Sequence, residues 1–248
     1  MLLKLLFNEN VTMKKILAAL LLTLPTIAMS IDLDGYYITA KGGASKTFNT
    51  GTTSLNLAGG PLRTFQNEDL GTGSAFGFSV GKYLTDSFRL ELEAIKRTGY
   101  EFDARFVTFP TNTLEAKIET HALFINGFYD FQPFTMSNTA ITPYLGGGVG
   151  ISRNKMGITV QDINGIPTGT TLDGNTINQF AYKLSAGTLV SLTKQLSLDV
   201  NYQYVNLGAF KGGTEFLTNG AFVNNLERGT DGGDIKTQEL MVGLQYKF

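Results

Sequence analysis

The stretch LSLDVNYQY, Leu196 to Tyr204, alternates with a period of two. Leu196, Leu198, Val200, Tyr202 and Tyr204 share one face, and Ser197, Asp199, Asn201 and Gln203 share the other. Successive side chains of an extended chain point to opposite sides, so this segment is a strand with one apolar and one polar face. FRLELEA repeats the pattern: Phe88, Leu90, Leu92 and Ala94 oppose Arg89, Glu91 and Glu93. The C-terminal segment does so again, with Leu240, Val242, Leu244, Tyr246 and Phe248 against Glu239, Gly243, Gln245 and Lys247.

Working outward from these segments, the pattern predicts eight strands, at 35–45, 73–84, 88–102, 115–130, 141–155, 178–192, 196–209 and 234–248. The connections alternate in length. Thr85-Asp86-Ser87 and Thr193-Lys194-Gln195 are tight turns and 131–140 is short, whereas 46–72, 156–177 and 210–233 are long, polar and rich in Gly, Asn and Thr. The 103–114 connection is intermediate. Short turns at one end and long loops at the other are the layout of a transmembrane up-and-down β-barrel.

A soluble barrel or sandwich would use the same alternation with its apolar face turned inward. Three features favour lipid outside. The polar faces mix charge with small residues, as at Ala75, Gly77, Ser79 and Gly81, which suits a narrow interior. The apolar faces end in aromatics (Tyr83, Phe88, Tyr202, Tyr204, Tyr246), as membrane-interface girdles do. The final strand ends on Phe248.

The N-terminal region points to export. From Met13 the sequence reads MKKILAALLLTLPTIAMS: two lysines, an apolar run from Ile16 to Leu24, Pro25, then Ala28-Met29-Ser30. That is the pattern of a cleaved secretory signal, and the run is shorter than the roughly 20 residues of a membrane-spanning helix. The expected division is therefore a signal peptide at 1–30, with its start at Met13, and a barrel domain at 31–248. Charged residues are 17% of the chain, below the usual value of about 25%. The 20 basic and 21 acidic side chains give a net charge of −1, so no overall field points to nucleic acid. Cysteine is absent, which removes disulfides and thiolate metal sites.

HALFINGFYDF (His121 to Phe131), TPYLGGGVGIS (Thr142 to Ser152), FAYKLSAGTLVSLTKQLSLDVNYQYVNLGAF (Phe180 to Phe210) and a terminal Y-x-F together resemble bacterial outer-membrane proteins of the opacity-protein and surface-antigen type. That group lies in the eight-stranded superfamily that includes the transmembrane domain of OmpA. The resemblance implies export, residence among outer-membrane lipid, and surface-exposed loops. It also implies insertion by the barrel-assembly machinery through the terminal aromatic signal, here Leu244, Tyr246 and Phe248. Its members range from adhesins and antigens to reported porins.

With the apolar faces in lipid, parity turns Lys41, Arg89, Glu91, Glu93, Arg97, Lys117, Glu119, Lys183, Asp199 and Glu239 inward. Buried charge is costly unless paired, so this balanced set predicts a lumen crossed by ion pairs. An eight-stranded barrel is only wide enough for its own side chains. A structural plug is the expectation, and a narrow gated pore the alternative.

Sites for chemistry are sparse, and no cofactor or metal is expected. His121 is the single histidine; Glu119 shares its face, but no serine is placed beside it, so a lumen hydrogen bond is expected rather than a lipid-modifying centre. Gly146-Gly147-Gly148-Val149-Gly150 continues into β-type residues, unlike a nucleotide loop, which opens a helix. Asp162-x-Asn164-Gly165, Asp173-Gly174-Asn175 and Asp231-Gly232-Gly233-Asp234 lack the spacing and terminal Glu of a calcium loop and read as turns. The long loops carry apolar residues suited to contact, among them Leu57, Phe65, Phe216 and Phe222. The leading expectation is a non-enzymatic surface antigen or adhesin whose partners are host-cell surface or matrix components. A small-solute channel is the alternative, and a lipid-modifying enzyme the remote one.

Overall fold

A strand leaves its backbone groups unpaired unless it has neighbours on both sides, and in lipid only a closed ring leaves no free edge. The structure, a computed structural model, describes residues 33–48, 52–57, 62–66, 69–106, 112–164 and 166–248. The expected leader at 1–30 lies outside the described residues. The chain divides into two units, Met1–Gly35 with Phe248, and Tyr36–Lys247; every strand belongs to the second.

The described residues form β1 (Tyr36–Thr47), β2 (Thr52–Leu57), β3 (Leu62–Gln66), β4 (Thr72–Tyr83), β5 (Phe88–Phe106), β6 (Asn112–Asp130) and β7 (Phe134–Met136). They continue with β8 (Thr139–Met156), β9 (Thr159–Ile163), β10 (Ile166–Leu172), β11 (Asn175–Ser191), β12 (Leu196–Lys211), β13 (Glu215–Thr218) and β14 (Ala221–Lys247). The eight long strands close an antiparallel barrel in the order β1-β4-β5-β6-β8-β11-β12-β14-β1. The seam is β1 with β14, from Tyr37 opposite Lys247 to Thr47 opposite Thr237.

All eight expected strands are present, but the long connections are not the irregular loops their composition suggested. They fold into β2–β3, β9–β10 and β13, which join the extended ends of β5, β6 and β14 in a second closed ring, β14-β2-β3-β5-β6-β9-β10-β13-β14. This collar stands on the long-connection end of the barrel. At the opposite rim Ser137 and Asn138, both with positive φ (47° and 67°), turn β7 back onto β8, as a tight two-residue hairpin requires.

The apolar faces are outside. Phe76, Leu90, Leu92, Ile125, Val149, Leu184 and Leu244 are exposed, whereas Thr39, Ser79, Glu93, Arg97, Asn126 and Gln203 are buried. A soluble barrel would show the reverse. The exposed aromatics Phe88, Tyr129, Phe131 and Phe134 gather at the short-turn rim, where an interface girdle belongs.

The interior has two storeys. Toward the short turns it is ionic; toward the collar it is an apolar core of Leu70, Tyr100, Phe102, Leu114, Ile118, Met156, Leu172, Val205, Leu207, Phe210 and Ile235. Two bulges accompany the change. On β5 the register shifts between Arg97 and Tyr100, around Gly99 at φ 90°. On β12 it shifts between Asn206 and Ala209, around Gly208 at φ 70°. These positive φ values suit glycine, and the extra residue inverts the face that each strand presents inward. Below Gly99 the odd-numbered Arg89, Glu91, Glu93 and Arg97 point in; above it the even-numbered Tyr100 and Phe102 do, and Glu101 and Asp103 are exposed.

Candidate functional site

The lower lumen is built around Glu93. Its Oε1 lies 2.7 Å from Lys41 Nζ, and its Oε2 accepts from Lys183 Nζ and from Asn126 Nδ2, the latter at 3.1 Å. Asn126 also donates to Glu91 Oε1 at 3.2 Å, and Tyr37 OH donates to Glu91 Oε2 at 3.2 Å. Arg89 donates to Tyr37 OH at 3.2 Å and to Asp130 Oδ1 at 3.0 Å, with its guanidinium 4.3 Å from the Phe128 ring centre and 4.6 Å from that of Tyr144. Tyr144 OH donates to Asp199 Oδ1 at 2.6 Å.

One level up, Arg97 holds Glu239 with both prongs, while Ser45, Thr237 and Gln203 also donate to that carboxylate at 2.6, 2.8 and 2.5 Å. Above the pair, Tyr100 OH meets Ser45 Oγ at 2.5 Å, and Phe102 packs edge-on against Phe210. Small residues make room for this filling. A Cβ on Gly148 would strike the Asn126 side chain, and one on Gly81 would enter the Tyr37 ring. Side chains from facing walls thus occupy the axis from the turn end to the collar.

Of the ten residues expected in the lumen, Lys41, Arg89, Glu91, Glu93, Arg97, Lys183, Asp199 and Glu239 are buried inside. Lys117 and Glu119 are corrections: Lys117 is exposed and Glu119 is about two-fifths exposed, both on the outer wall. On β6 the even positions Ile118, Thr120, Ala122, Phe124, Asn126, Phe128 and Asp130 point inward along the whole strand. His121 therefore also faces out, opposite Lys96 and Arg153, and the expectation of a lumen histidine fails with it. The sequence reading misses Asp130 and Asn126. Their four-residue spacing puts two polar groups on the even face, but Ala122, Phe124 and Phe128 on that face and His121 on the other offset it, so this signal does not fix the parity.

The outward apolar belt, the enclosed ionic storey and the seam of first strand to last decide the class. The model of the outer membrane protein beta-barrel domain matches residues 16–248. The chain belongs to this family. As a member of the outer membrane β-barrel family it resides in the outer membrane of Gram-negative bacteria. It is 28% identical over 201 residues to the outer membrane protein PagN of Salmonella typhimurium, covering 71% of this chain and 75% of that protein. A Rickettsia conorii protein that bears the name of a candidate adhesin is 28% identical over 180 residues, covering 71% of this chain and 68% of its own length. Among solved structures, OprG from Pseudomonas aeruginosa superposes with a TM-score of 0.58 at 16% identity, covering 87% of this chain and 96% of that one. This last likeness is one of fold.

The end away from the short turns is the collar. The side chains of Leu57, Phe65, Phe216 and Phe222 lie outside the described ones. Their backbones are placed: Leu57 opposite Leu226, Phe65 opposite Phe106, Phe216 opposite Asn224, and Phe222 opposite Leu217. On the barrel wall, Leu244 and Tyr246 are exposed on the lipid face of β14. Asn164, Asp173 and Gly174 stand at the β9–β10 and β10–β11 connections, where Asn164 has φ 55°, whereas Asp162 lies within β9 and the Asp231–Asp234 segment, expected as a turn, lies within β14; the described residues bring together no cluster of metal-ligating side chains.

Proposed function

We propose that this protein is a non-enzymatic surface adhesin or antigen, which meets host-cell surface or matrix components with the hairpin tips of its collar. One observation carries the reading. The long connections close into a β-ring over an apolar core rather than trailing as separate loops, which gives a preorganised platform at the cell surface. The name of the Rickettsia conorii relative points the same way.

Neither alternative draws comparable support. A channel needs an open axis, and here the axis is filled by ion pairs below and apolar side chains above. A lipid-modifying centre would join His121 to a serine; the adjacent Ser152 instead points into the barrel and donates to the Leu207 carbonyl. Leu244 and Tyr246, with the terminal Phe248, are proposed as the segment read by the barrel-assembly machinery.

The test replaces the hairpin tips at 163–166 and 218–221 with Gly-Ser turns and measures adhesion of whole cells to host cells and matrix. The expected result is lost adhesion with the heat-modifiable gel shift of the folded barrel retained. Undiminished adhesion by a folded variant overturns the proposal.

A further inference from the structure

Among the described residues the lumen holds more negative than positive charge. Its buried cations are Lys41, Arg89, Arg97 and Lys183; its buried carboxylates are Glu91, Glu93, Asp130, Asp199 and Glu239. Four against five leaves one carboxylate without a counter-ion, and the contacts identify it. Glu93 has Lys41 and Lys183, Glu91 lies 3.7 Å from Lys41 and 4.0 Å from Arg89, Asp130 has Arg89, and Glu239 has Arg97. Asp199 meets neutral donors instead, Tyr144 OH at 2.6 Å and Asn201 Nδ2 at 3.3 Å. Lys41 stands at the same height, both residues being opposite Gly243, but its ammonium is committed to the two glutamates.

Acceptors are also in excess around this carboxylate. Asn126, Asn201 and Gln203 each give an amide N–H to a carboxylate, and the buried amide oxygen of each has no hydrogen-bond partner. The Asn201 amide nitrogen donates to Asp199 Oδ2, so its orphaned Oδ1, on the same carboxamide carbon, stands beside the carboxylate. Tyr144 spends its one hydroxyl proton on Asp199 Oδ1 and keeps lone pairs on the oxygen.

We propose that Asp199, Asn201 Oδ1 and the Tyr144 hydroxyl oxygen hold one alkali cation, sodium. The donor set is oxygen alone, which suits a hard cation. The charge count selects a monovalent ion: one positive charge balances five carboxylates against four bases, whereas a divalent ion would overshoot. A calcium ion would also ask for six to eight oxygens. The position provides an approach. Asp199 stands three residues into β12, about 10 Å from the short-turn rim, and Ser197, the next inward residue toward that rim, is part-exposed. An unpaired charge in this enclosure is costly, and the bound ion offsets that cost.

The full-length protein, folded in phosphatidylcholine vesicles, is unfolded by urea at one pH and one ionic strength while sodium chloride replaces choline chloride. The folded-to-unfolded ratio rises with sodium, approaching about tenfold for each tenfold increase, as one site on the folded state requires. Asp199→Asn, which removes the uncompensated charge at nearly unchanged size, loses this dependence. Asn201→Leu keeps the charge but removes an oxygen, and needs more sodium to reach the same stability. Equal stability in sodium and choline, or a sodium dependence that persists in the folded Asp199→Asn variant, overturns the site. Should that variant fail to fold, sodium NMR relaxation on the unmodified protein decides: line broadening beyond that of protein-free vesicles is expected, and its absence overturns the site.

Discussion

Arg97 and Glu239, 142 residues apart in sequence, meet across the upper lumen, with Nε to Oε1 at 2.5 Å and Nη2 to Oε2 at 3.1 Å. Both side chains are fully buried. The pair sits at the boundary between the ionic storey and the apolar core, closed to bulk solvent.

Removing one member alone strands the other. Arg97→Ala or Glu239→Ala is expected to destabilise the barrel by about 3–5 kcal/mol, whereas the double change Arg97→Met/Glu239→Leu is expected to cost much less, because no buried charge is left unpaired. Urea unfolding from lipid vesicles, followed by the heat-modifiable gel shift, compares these three variants with the unmodified protein. A double variant as unstable as the worse single one would show that the cost does not come from a stranded charge.

The bulge at Gly99 decides which residues fill the collar. Gly99→Val disfavours the positive φ that the bulge requires, and plain alternation through every residue of β5 would turn Glu101 and Asp103 toward Phe210 and Leu114. The expected outcome is a collar cleaved by protease on intact cells, over a lower barrel that still shows the gel shift. A protease-resistant collar in the Gly99→Val variant would show that the bulge does not set the parity.

The assignment of faces predicts opposite sensitivities on one wall. Val149→Arg places a charge in the hydrocarbon belt and is expected to cost about 2–4 kcal/mol. Lys117→Gln alters an exposed residue above the belt and is expected to stay within about 0.5 kcal/mol. Vesicle unfolding measurements separate the two, and a large loss for Lys117→Gln would return that residue to the lumen.

Much of this fold is legible in the sequence because most strands put apolar residues on one face and polar residues on the other. Asp199, Asn201 and Gln203 against Leu198, Val200 and Tyr202 leave no doubt which side is which. The strand HALFINGFYDF offers no such contrast. Leu123 and Ile125 face lipid, but Ala122 and Phe124 are equally apolar and face inward, with Phe124 lying under Lys183. Parity there is open from the residues alone, and the misplacement of Lys117 and Glu119 follows from it. The collar is illegible for a different reason: beyond its hairpin partner β3, β2 pairs with β14, more than 160 residues later, and no local pattern announces a ladder that only ring closure supplies. The candidate site obeys the same rule. Glu93 and Lys183 can be named from their faces, but Asn126, which links Glu93 to Glu91, cannot.

Three strands run without a break from the lipid belt into the collar: β5 and β6, of 19 residues each, and β14, of 27. Traction applied at the β13–β14 tip therefore pulls along the ladders that β14 shares with β12 and β1, loading many hydrogen bonds in shear at once instead of peeling them singly. A cell dragged by flow while held at this tip would pass the force directly to the bilayer-embedded wall, with no hinge between to yield first.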